Sequence, residues 1–213
     1  MTISCQAYID NVRDQLFDPA PGAGWNNTEL IGYLNAAMTR IVLAKMDAYP
    51  VIREIALEPG VVQELPSDGC LFIDALYNSA GNGVTLQAAH EFIRVNTGWA
   101  AATASSEVQY VLFDPRLPRQ FHVSPPAASG ALLTCMFGAF PTRITAVGDD
   151  VLMPDQYETA IQTYMIGRAY AKASARQDLN KAAAFIAEFE RMIAGRLQID
   201  LQTPPQQDIK GMR

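Results

Sequence analysis

The chain reads as an α+β protein: a helical bundle drawn from both ends, a β-rich middle segment (sandwich or barrel-like), and an extended C-terminal tail. Three observations predict this. Apolar residues recur at Leu30, Leu34, Ala37, Met38 and Ile41, the three-and-four spacing of one helix face. From Val51 to about Pro141 the chain breaks into short runs rich in Val, Ile, Leu and Phe, punctuated by Gly, Pro and Asp. Helical spacing returns from Asp155 to Asp200. The expected domains are residues 1–50 with 148–201 (helical), 51–147 (β-rich, inserted) and 202–213 (a flexible tail).

Each element has a local reason. Ser4 is placed to cap a first helix running to about Phe17, with Ala7, Tyr8, Val12 and Leu16 on its inner face. Asp18-Pro19-Ala20-Pro21-Gly22-Ala23-Gly24 stops it, because proline cannot continue a helix and glycine tolerates unusual dihedrals. Asn27 or Thr28 caps the second helix, and Glu29 suits its positive end. Strands are predicted over Val51–Leu57, Val61–Leu65, Leu71–Tyr77 and Val84–Leu86, with turns at Pro59-Gly60 and Asn78–Gly83. A helical turn over Ala88–Asn96 places Phe92 and Val95 on one side, and small, polar Gly98–Ser106 is a mobile loop.

Val108, Tyr110 and Leu112 alternate into a hairpin that turns at Asp114–Pro118 and returns through Phe121 and Val123, ending at Pro125-Pro126. Ala131–Ala139 is a last, mostly buried strand. Asp155 and Glu158 have capping-box spacing for a helix to about Ala175, whose small residues Ala160, Gly167, Ala171 and Ser174 permit close packing. The final helix, from Asp178 to about Asp200, carries Ala182, Phe185, Ile186, Phe189, Ile193 and Leu197 as its apolar stripe.

Composition narrows the function. The 213 residues are 49% hydrophobic and 18% charged, an ordinary globular balance. No apolar stretch approaches the ~20 residues that span a bilayer, and Met1–Cys5 resembles no signal peptide. A net charge of −6 without a Lys/Arg cluster argues against a DNA-binding regulator. The odd cysteines Cys5, Cys70 and Cys135 are too widely spaced for zinc or redox motifs and fit a reducing compartment.

Catalytic, cofactor and metal sites are all expected to be absent. His122 falls on the polar face of its strand, facing solvent. His90-Glu91 opens like a zincin helix, but no second histidine stands three residues beyond Glu91. A nucleophile pair of Cys70 with a histidine has no local support. Asp149, Asp150 and Asp155 read as helix-capping carboxylates, and Gly81-Asn82-Gly83 as a turn. Trp25, Trp99, Phe113 and Phe121 read as core residues and not a base-stacking platform. Arg116 and Arg119 flank a hairpin tip and offer a contact for an anionic partner.

The order of motifs carries a resemblance. Trp25-Asn26-Asn27-Thr28-Glu29-Leu30-Ile31-Gly32-Tyr33-Leu34-Asn35-Ala36-Ala37 precedes Ile55-Ala56-Leu57-Glu58-Pro59-Gly60-Val61-Val62-Gln63-Glu64-Leu65-Pro66. Phe113-Asp114-Pro115-Arg116 and Phe121-His122-Val123-Ser124-Pro125-Pro126 follow. Together they resemble the head-to-tail adaptor (connector) proteins of tailed bacteriophages, by motif from Trp25 to Pro126 and by layout beyond.

That resemblance implies a structural virion protein made in the host bacterial cytoplasm. Its partners would be its own copies in a ring, typically of twelve, together with a portal protein and a tail or nozzle protein. The ring would line the channel for passing genomic DNA without binding it specifically. The helical part would contact neighbouring copies, its small-residue face offering one lateral surface, while the β-rich part faces outward or towards the tail. The C-terminal segment would reach the portal, with Pro204, Pro205, Ile209 and Met212 as contacts. A tail-completion or capsid-decorating protein is the nearest alternative, and a hydrolase with a β insert a more distant one.

Overall fold

The computed structural model describes residues 3–18 and 24–202, the side chains of 196–202 excepted. In chain order the elements are β1 (Ile3–Ser4), α1 (Cys5–Gln15), α2 (Asn27–Ala44), β2 (Pro50–Ala56), β3 (Gly60–Glu64), β4 (Gly69–Asn78), β5 (Thr85–Ala88) and α3 (Ala89–Val95). There follow β6 (Tyr110–Phe113), β7 (Gln120–Ala127), β8 (Leu132–Ala139), β9 (Asp150–Val151), α4 (Glu158–Ala171) and α5 (Leu179–Gln202). The protein is therefore mixed α+β. It divides into two compact units, one of residues 1–45 with 142–213 and the other of residues 46–141.

In the first unit α4 is the central helix. Ile161, Met165, Ile166 and Ala169 are buried on several of its sides, because α1, α2 and α5 all pack on it. Gly167 is where α5 comes closest: a Cβ there would lie 3.0 Å from Ile186 Cδ1 and 3.2 Å from Phe185 Cβ. The small face of α4 is thus covered at Gly167 by the chain's own last helix, while Ala171 and Ser174 are exposed. The close packing that the spacing implies is met within the chain itself, between α4 and α5.

Capping follows side-chain chemistry closely. Ser4 Oγ accepts from the Ala7 amide at 3.3 Å. The cap of α2 is Asn26, one residue earlier than expected: Asn26 Oδ1 accepts from Glu29 N at 2.8 Å, and Glu29 Oε2 accepts from Asn26 N at 3.0 Å. A 3-10 turn over Asp155–Tyr157 precedes α4, so Asp155 opens that turn and Tyr157, not Asp155, holds the N-cap position of the helix. Asp149 also differs from expectation. Its carboxylate accepts from Thr145 and Ala146 N–H in its own loop, which holds its pKa below the usual range, and its carbonyl accepts from Cys5 N.

Two buried polar devices join separate stretches of this unit. Asn35 exchanges two 2.9 Å hydrogen bonds with the backbone of Ile144, mimicking a peptide pair. Arg13, 5% exposed, donates to Asp18 Oδ2 at 3.0 Å and to Trp25 O and Asn27 Oδ1 at 2.8 Å. Asp18, fully buried, also accepts from Gly24 N and Trp25 N. Trp25 in turn donates its indole N–H to Ala169 O at 3.1 Å. This network fixes the end of α1 beside the start of α2.

The second unit holds an antiparallel sheet β2-β8-β4 and a sheet β3-β7-β6-β5, in which β5 runs parallel to β6. Neither sheet closes on itself, so the barrel-like option is not realised. Residues from both sheets, including Ile55, Phe72, Phe121, Val123, Leu133 and Phe137, form one core, with Phe72 and Phe121 rings 4.7 Å apart. Gly138, paired with Pro50, lies against the chain entering the unit: a Cβ there would meet Met46 O at 1.9 Å.

Side-chain amides hold the turns. Gln63 bonds both ways with Glu58 across the Pro59-Gly60 turn, where Gly60 takes φ +118°. Asn78 accepts from Ala80 N and Asn82 N and donates to Val108 O. Two expectations fail here. Strand β7 continues through Pro125 and Pro126 to Ala127. The Gly98–Ser106 stretch contains a 3-10 turn at Trp99–Ala101, and Ser105 is hydrogen-bonded to Pro126 and Ala128.

Candidate interaction surfaces

Each titratable residue singled out from sequence is engaged in local contacts. His90 is exposed on α3, 3.9 Å from the Glu91 carboxylate. His122 pairs with Val62 and Leu112 across β7 and meets the Trp99 ring edge-on at 6.0 Å, so it is half-buried instead of facing solvent. The Cys70 thiol donates to Met46 O at 3.1 Å, and burial pushes its pKa up, the reverse of an activated nucleophile. Burial likewise pushes Cys5 up to about 11 and Cys135 up to about 12. Among the described residues, no group of three or more His, Cys, Asp or Glu is placed to hold a metal ion.

At the hairpin between β6 and β7, Arg116 folds back onto Asp114. Its hydrogen bonds hold the Asp114 carboxyl down at about 2. Arg119 reaches Pro66 O at 3.3 Å, and Leu117 between the two arginines is 48% exposed. The tip therefore presents one guanidinium neutralised by its own aspartate, a second that donates to a backbone carbonyl, and an apolar side chain. Pro204, Pro205, Ile209 and Met212 lie outside the described residues.

Trp25 and Phe121 are core, as expected. Trp99 instead lines an open cleft of about 620 Å³ with Phe92, Val95 and Tyr110, and with Gln87, Glu91, Asn96, Thr97 and Ser124 as polar groups. Phe92 forms its floor, 5.2 Å from Tyr110 and edge-on to Trp99 at 6.4 Å. Val95 does not share the buried side of Phe92; it stands at the lip, 83% exposed.

The helical unit has its own groove of about 500 Å³ between α2 and α5. Phe189 and Ile193 form the floor, Leu43, Ala44 and Ala194 the walls, and Arg40 and Glu190 the rim, 3.7 Å apart. Sequence reasoning missed both clefts. The available signal was an apolar residue out of phase: Leu43 sits two positions beyond Ile41 and off the buried stripe of α2, and it is 66% exposed.

These features have the look of an interaction module: a mixed cleft and hairpin tip on one compact unit and a mainly apolar groove on the other. The sequence of residues 3–208 matches the SU10 adaptor protein family, and the chain belongs to that family of phage adaptor proteins, which are structural components of the virion. No curated protein matches the chain. Among the described residues, no helix is long and apolar enough to cross a membrane.

Proposed function

We propose that this adaptor assembles as a homo-oligomeric ring at the head–tail vertex, between the portal and the tail or nozzle, and surrounds the channel through which the genome passes. The match to the adaptor family over residues 3–208 is the observation that carries this reading. Ring-forming contacts need apolar surface on the outside of a stable fold, and the α2–α5 groove supplies some. A net charge of −6 suits a wall past which DNA slides without adhering.

Portal contact falls to the C-terminal segment, with Pro204, Pro205, Ile209 and Met212 as its contacts. Arg119, with Arg116 behind it, contacts the distal neighbour. Removing Gln202 to Arg213 should leave the melting temperature unchanged and abolish co-purification with purified portal; undiminished co-purification would refute the assignment. Electron microscopy of virions should show the protein as one ring at one vertex, and density spread over the capsid would mark a decorating protein instead.

A further inference from the structure

One aromatic residue stands exposed at a strained backbone position. Helix α1 ends with Phe17 N bonded to Asp14 O and Asp18 N bonded to Arg13 O, the Schellman pattern, in which the residue at the Phe17 position adopts the left-handed conformation. Glycine ordinarily fills that place. Here it is phenylalanine, the one positive-φ residue other than glycine among those described, at φ +52° and 84% exposed. A bulky side chain in that region is strained, and an exposed ring gains nothing from the fold in return. The buried Arg13–Asp18 network immediately behind it holds the position rigidly.

The same unit offers a complementary recess. Phe17 sits beside the start of α2, since Arg13 and Asp18 bind Trp25 and Asn27. The groove walled by Leu43 and Ala44 and floored by Phe189 and Ile193 lies 13 to 17 residues further along α2, about 20–25 Å away. Projection and recess thus lie towards opposite ends of one helix, and a copy cannot fill its own groove. The charges agree as well. Asp10 and Asp14 are exposed on the α1 face leading to Phe17. Arg40 on the groove's rim lies over the Tyr164 ring at 5.9 Å and pairs loosely with Glu190, with side chains 54% and 64% exposed, which leaves N–H donors for a second carboxylate.

We infer that Phe17 of one copy inserts into the α2–α5 groove of the next, with Asp14 facing Arg40, in a head-to-tail contact between identical chains. Contacts of this heterologous kind continue from copy to copy and close into rings when the rotation allows. An aromatic anchor in a desolvated apolar recess is the usual energetic centre of such an interface. The inference rests on the ring reading above and identifies the surfaces that make it.

The test uses the full-length chain, alone and mixed with purified portal, with assembly state read by native mass measurement and sedimentation. Phe17→Gly relieves the backbone strain, so it should melt no lower than wild type while its self-association weakens at least tenfold. Leu43→Glu should weaken association similarly from the groove side. Because each variant retains one half of the contact, a mixture of the two should form heterodimers that do not extend. Wild-type assembly by either substituted chain would overturn the contact and leave the ring reading intact. A wild-type chain that stays monomeric alone and with portal would overturn both. Should Phe17→Gly fail to fold, Leu43→Glu decides the question alone.

Discussion

Replacing Asp18 by Asn tests whether the Arg13 network holds the helical unit together. The wild-type carboxylate is fully buried and accepts from Arg13 at 3.0 Å, from Gly24 N at 3.1 Å and from Trp25 N at 3.3 Å, with Arg176 at 3.4 Å. An amide of the same shape keeps one acceptor oxygen but removes the charge and turns an N–H₂ donor towards other donors. Breaking a buried ion pair by removing one partner costs about 3–5 kcal/mol. Arg13 keeps Trp25 O and Asn27 Oδ1 as acceptors, which places the expected cost at the lower end, about 3 kcal/mol. For a chain of this size that is a fall in melting temperature of roughly 6–12 °C. Urea unfolding followed by far-UV circular dichroism measures it directly, and intrinsic fluorescence reports Trp25 and Trp99 together. A loss under about 1 kcal/mol would show that the carboxylate's charge is not needed there and refute the reasoning.

Two further outcomes follow from single contacts. Gly138→Ala would place a methyl group 1.9 Å from Met46 O, a backbone atom that cannot swing aside. Overpacking of this kind costs about 3 kcal/mol, and a denaturation midpoint equal to wild type would contradict it. Glu29's pKa is lowered from its ordinary 4.5, chiefly by the hydrogen bond from Lys172 and then by the Asn26 backbone N–H. The folded state thus favours the ionised form, so this stabilisation is complete above pH 4.5 and fades as the pH falls through the lowered value. The stability gap between wild type and Glu29→Gln should be larger at pH 7 than at pH 3 in urea titrations, and an equal gap at both would oppose it.

Much of the fold was legible because local chemistry and period agreed. Ser4, the stripe of α2, the turns at Pro59-Gly60 and Asn78–Gly83, and the alternation of Phe121 and Val123 all stand as the spacing implies. Errors arose where a tertiary partner outweighed a local rule. Pro125 and Pro126 stayed within β7, and Ser105 was tied to that strand by backbone bonds that composition cannot reveal. Asp149 found its donors in its own loop and not at a helix end. The surfaces were least legible. A groove such as that of Leu43 and Phe189 joins residues far apart in sequence, and the strain at Phe17 is a property of φ that no residue pattern displays.

The paired bonds between Asn35 and Ile144, with those from Cys5 and Gln6 to the 147–149 loop, fasten the returning chain as soon as it re-enters the helical unit. The 96 residues from 46 to 141 are therefore an excursion whose two ends are tethered independently of what lies between them. Closing a longer excursion costs only about 0.6 kcal/mol for each doubling of its length. A scaffold anchored this way can exchange its insert for a larger or smaller one over evolutionary time while its own helices stay as they are.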